Sequence, residues 1–161
     1  MTNDDSIVFK YNTIEDGYDF YITDKWQKKY HFKIFSFPVP SSLLSEAIEI
    51  VVESSEIVAR RYTVLSDFDA DVEQAELRLK AKVKKSINQR HLTFKNGKLE
   101  LSKEEVLRGT IGYTGESDTS FNHQFEIDGR RITIEQFVEM LCIYEGYNFK
   151  FKIYDPTDDI D

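Results

Sequence analysis

Three histidines, His31, His91 and His123, and one cysteine, Cys142, are the side chains of this chain best suited to hold a transition metal or attack a substrate. No histidine lies within three to five residues of another histidine or of the cysteine. A structural zinc site needs four nitrogen or sulfur ligands, and these four residues are the whole supply, so no metal site is expected from them. Cys142 stands between Leu141 and Ile143, with Glu139 and Glu145 within one helical turn. A nucleophilic thiolate needs positive charge nearby, so Cys142 is expected to act as a small hydrophobe instead. Gly109, Gly112 and Gly115 match neither phosphate-loop spacing, and no helical pattern follows them; bulges or a strand bend are expected there. No Gly-x-Ser-x-Gly elbow occurs. No catalytic residue and no cofactor is assigned, although the plentiful carboxylates leave a carboxylate-held metal open.

Charge narrows the partners. Twenty-nine acids against 21 bases leave a net charge of −8. Such a field repels nucleic-acid phosphates and anionic lipid, so neither nucleic acid nor a membrane surface is expected as a partner. It suits a basic protein. The run Arg78, Lys80, Lys82, Lys84, Lys85 is offset by acids upstream and is expected to be a solvated face. The start, Met1 to Asp5, lacks the basic and apolar regions of a signal peptide. No stretch approaches the ~20 apolar residues that span a bilayer. A lone cysteine forms no internal disulfide. The expected compartment is the cytosol.

The elements that must position any site follow from periodicity. At 161 residues, 40% hydrophobic and 14% aromatic, the chain has the size of one domain and enough apolar side chains for a core. Ser6–Tyr11, Tyr18–Thr23 and Tyr30–Phe37 alternate as strands, the first two joined at Asp16-Gly17 as a hairpin. Pro38 and Pro40 are expected to end that sheet. A helix is expected from Ser41 or Ser42 to about Glu53, on the spacing of Leu43, Leu44, Ala47, Ile48 and Val51. A strand at Ile57–Leu65 precedes a long helix from Asp67 or Asp69 to near His91, striped by Val72, Ala75, Leu79, Val83 and Ile87. Asn96-Gly97 marks a hairpin. Glu105–Tyr113 and Phe121–Ile127 read as strands around a polar loop at Asp118–Ser120, with a turn at Asp128-Gly129. Thr133 and Gln136 form a capping box for a helix to Glu145, with Ile134, Phe137, Val138, Leu141 and Tyr144 buried and Gly146 as its stop. Tyr147, Phe149, Phe151 and Ile153 alternate with polar neighbours as a half-buried strand. Asp155-Pro156 ends it. The fold class is α+β: a mainly antiparallel sheet packed by two or three helices in a single layer pair, one domain over 1–155 and a frayed acidic tail at 156–161.

Asp128-Gly129-Arg130, Glu135, Phe137, Met140-Leu141, Tyr144-Glu145-Gly146, Phe149-Lys150, Asp155 and Thr157-Asp158-Asp159 resemble the end of an uncharacterised family of small bacterial domains. The resemblance implies a small α+β domain and no known activity. Most of those residues also have structural explanations. Glu145 does not, because a helix end disfavours negative charge. Glu145, its neighbour Tyr144, and Arg130 and Arg131 just past a turn are therefore the candidate binding residues. Two functions compete. One is a non-catalytic binding or regulatory module with an acidic surface for a protein partner. The alternative is a small enzyme or ligand-binding domain with a carboxylate and aromatic pocket built from Glu145, Glu126 and His123. Convergent polar groups in a pocket favour the second, exposed aromatics on an acidic face the first.

Overall fold

The computed structural model describes residues 17–115 and 122–159. The expected strand Ser6–Tyr11, its hairpin and the loop Asp118–Ser120 lie outside the described residues. The described residues form two compact units, 17–50 with 61–86 and 154–159, and 51–60 with 87–115 and 122–153.

The first unit is an antiparallel meander covered by a helix. Strands β1 (Tyr18–Thr23), β2 (Lys29–Val39), β3 (Ser42–Glu49) and β4 (Arg61–Asp67) lie in sequence order, with helix α1 at Val72–Ile87. Period-two burial sets the covered face: Tyr30, Phe32, Ile34 and Ser36 on β2, Leu43, Ser45 and Ala47 on β3. Helix α1 answers with Ala75, Glu76, Leu79 and Val83. Glu76 is a buried carboxylate satisfied by hydroxyls, accepting from Tyr18 at 2.8 Å and from Ser36 at 2.9 Å. Asp71 starts the helix by accepting the Glu73 N–H at 2.9 Å.

Two expectations fail here for identifiable reasons. Residues 42–49 form a strand, not a helix. Leu43 and Ala47 are spaced for either period, and the turn before them decides. Pro40 and Ser41 form a two-residue loop between the paired Val39 and Ser42, and Ser41 takes φ 62°. The serine expected to cap a helix is a turn residue. Pro38 does not end the sheet, because β1 pairs only with Lys29–Ile34 of β2. At Pro38 strand β2 has one neighbour, the edge-like setting in which a missing N–H is tolerated.

Residues 155–159 are tethered rather than frayed. Thr63 Oγ1 donates to Pro156 O at 2.7 Å. Lys82 Nζ donates to Thr63 O at 2.9 Å and Asp158 O at 2.8 Å. Burial lowers the Lys82 pKa, while Asp159 and Asp158 pull it back up.

The second unit contains two further antiparallel sheets. Strands β5 (Leu92–Lys95) and β6 (Lys98–Leu101) make the expected hairpin, with Asn96 at φ 51° and Gly97 at φ 75°. Strands β7 (Thr110–Tyr113), β8 (His123–Ile127) and β9 (Arg130–Ile132) form the other. Helix α2 (Ile134–Leu141) packs Met140 and Phe137 onto Leu92, Phe125, Ile127 and Ile132. Val138 and Leu141, expected in its buried stripe, are exposed. Asp128 ties the unit together by accepting the N–H groups of His91 and Leu92 at 2.7 and 2.9 Å.

The α+β reading holds in outline, with mostly antiparallel strands and two helices. The single layer pair does not, since the described strands form three separate sheets. Residues 147–153 are not a strand. Their side chains alternate as a strand's would, but no strand among the described residues offers them a ladder.

Candidate functional site

The Thr133–Gln136 capping box forms as expected, Gln136 N–H to Thr133 Oγ1 at 3.1 Å and Thr133 N–H to Gln136 Oε1 at 2.9 Å. Helix α2 stops at Leu141 and tightens into a 3-10 turn over Cys142–Tyr144. Gly146 then takes φ 86°, and the Tyr147 N–H reaches back to Tyr144 O at 2.9 Å. That reversal sets the Tyr144 and Tyr147 rings edge to face, 5.5 Å between centroids at 73°. Glu100 on β6 and Glu105 in the following loop act on the Tyr144 phenol. Its pKa lies above the ordinary value, first through burial and then through Glu105 and Glu100.

Glu145, between these two tyrosines in the chain, is exposed. It stands four residues beyond the end of α2 in an extended conformation, φ −50°, ψ 127°. It is also the residue that caps the 3-10 turn continuing α2, so it stands at a helical C-terminus, though outside the α-helix itself. What surrounds the Tyr144 ring is acidic and aromatic: Tyr147, Glu105 and Glu100, with Glu145 next to it in the chain.

The arginines sit in other surroundings. The Arg130 guanidinium lies 4.6 Å from the Phe94 ring centre. Arg131 pairs with Glu53 at 3.6 Å and donates from Nε to Ser54 O at 3.0 Å. These contacts fasten residues 53–57 to β9, and neither arginine holds Glu145 in any described ion pair. Of the four candidates, Tyr144 and Glu145 are neighbours in sequence, and no described hydrogen bond or ion pair joins any two of the four.

The remaining chemistry-bearing residues are dispersed. His123 lies edge-on to Tyr113, and Glu126 accepts from Gln124 at 3.3 Å; no described hydrogen bond or ion pair joins either to Glu145. His31 contacts Asp19 at 2.7 Å, and together with Lys33 it lowers the Asp19 pKa. The buried His91 ring contacts Val106 O at 3.1 Å. No three potential metal ligands cluster among the described residues. Cys142 is exposed rather than buried, its Sγ 3.4 Å from Val138 O. A Cβ on Gly109 or Gly112 would collide with Glu126, so these glycines permit close approach within a sheet.

The largest feature missed is the exposure of the segment after Gly146. Tyr147 is 69% exposed, Phe149 92%, Phe151 63% and Ile153 65%. Their alternation was visible, but burial was assumed from it. Glu100 and Glu105 carried no signal, because only the fold brings them to Tyr144.

No helix is long and apolar enough to cross a membrane among the described residues. Residues 15–88 match the profile of a family described as a domain of unknown function (DUF7686). Residues 89–158 match a second, also described as a domain of unknown function (DUF7713). No curated protein and no solved structure matches the chain. The C-terminal resemblance, quoted over 128–159, agrees with these matches only in pointing to an uncharacterised family, and each profile covers a little under half of the chain.

Proposed function

We propose that this chain is a non-catalytic binding or regulatory module of the cytosol that docks a basic segment of a protein partner on the Tyr144 surface. One observation carries the reading: two tyrosine rings meet edge to face where Glu105 and Glu100 act on the Tyr144 phenol. Aromatic faces attract Lys and Arg, and flanking carboxylates add to the attraction. The overall charge of −8 steers a cationic partner toward the chain and an anionic one away.

Capture from the native cell, with retained proteins identified by mass spectrometry, tests this. The wild-type chain should retain a protein with a basic segment, and Tyr144→Ala or Glu100→Gln/Glu105→Gln should lose it. Equal retention by all three chains would place the docking surface elsewhere and refute the reading.

A further inference from the structure

We propose that the segment 147–153 is a strand donor that pairs with β7 of a second copy of this chain. The donor side is complete except for a ladder. In strand conformation Tyr147, Phe149, Phe151 and Ile153 would fall on one side, with Asn148, Lys150 and Lys152 on the other. All four apolar side chains are exposed, and no described strand pairs with the segment.

The acceptor side is present too. Among the described residues strand β7 is the outer strand of its sheet, paired with β8 alone. Ile111 and Tyr113 project from one face and are both exposed. Gly112 lies on the opposite face with Gln124 and Glu126. Because Gly112 has no Cβ, the Glu126 carboxylate lies across β7.

A strand added there with its aromatic row beside Ile111 and Tyr113 turns Lys150 and Lys152 toward that carboxylate. Apolar residues meet apolar, and cation meets anion, in the same register. Reciprocal exchange about a two-fold axis buries the donor row and the β7 pair of each copy. At roughly 150–250 Å² per aromatic ring, that is on the order of 800 Å² per protomer, the size of a stable interface. The backbone gains its missing ladder in the same step. The proposal shares Tyr147 with the Tyr144 surface and otherwise rests on different residues, so the variants below leave Tyr144 and Tyr147 untouched.

Sedimentation equilibrium on the full chain tests it. The wild type should be a dimer at tens of micromolar. Phe149→Asp/Phe151→Asp and Ile111→Lys/Tyr113→Lys should each be monomeric, with unchanged circular dichroism because these side chains are exposed. Glu126→Lys should weaken the dimer several-fold, the scale of a cross-strand charge pair, and Lys150→Glu/Lys152→Glu in that background should restore it. Glu100→Gln/Glu105→Gln should leave the dimer intact, which separates failure here from failure of the partner reading. A monomeric wild type overturns the proposal. So does a dimer that survives either double variant, or a charge swap without rescue.

Discussion

At the scale of single residues, three positions decide whether the Tyr144 surface is built as described. Gly146 makes the reversal that brings Tyr147 back to Tyr144, and its φ of 86° is strained for any residue with a Cβ. Gly146→Ala should cost about 1 kcal/mol in a denaturant melt. Glu145→Gln should leave stability unchanged and weaken partner binding, since no described bond holds the carboxylate. A clear loss of stability would make that residue structural. Tyr144 offers a pH signature. Its raised pKa means the neutral phenol is favoured in the folded state, so that contribution is complete below the ordinary tyrosine value near 10 and lost as pH rises through the folded pKa. Ultraviolet difference titration should show one tyrosine ionising late, and Glu100→Gln/Glu105→Gln should bring it earlier. An unchanged titration would remove the carboxylates from the phenol.

At the scale of elements, the sequence was informative where a local device fixes the outcome. Asn96-Gly97, the Thr133–Gln136 box and the α1 stripe Ala75, Leu79, Val83, Ile87 all formed as their chemistry requires. It misled where one pattern serves two periods. Leu43 and Ala47 fit a helix face and a strand face alike, and Pro40-Ser41 resolved them as a hairpin. Ser41→Gly tests that resolution, because a positive φ is cheap for Gly. It should raise stability by up to about 1 kcal/mol, whereas removing a helix cap would lower it. The alternation of 147–153 was equally legible, but a strand exists only where another offers hydrogen bonds, and that is not written in the segment itself. Phe137 shows the converse. Its expected packing role is real, stacked on Phe125 at 4.4 Å, and Phe137→Ala should cost about 3 kcal/mol.

At the scale of the whole molecule, the chain crosses between its two compact units after residues 50, 60, 86 and 153. So many crossings are expected to couple their unfolding into the behaviour of a single domain. Trp26 reports on the first unit and a label on the exposed Cys142 on the second. Their urea transitions should coincide; separated midpoints would mean two domains. The net charge supports the partner class but not the site, because acids are spread over both units. Only a footprint distinguishes a built surface from general acidity. The most direct measurement is a two-dimensional NMR titration of the labelled chain with a short Lys- and Arg-rich peptide at physiological salt. The account predicts shifts concentrated at Glu100, Glu105, Tyr144, Glu145 and Tyr147. Shifts centred on the acids at 67–73 instead, or spread evenly over every acidic residue, would contradict it.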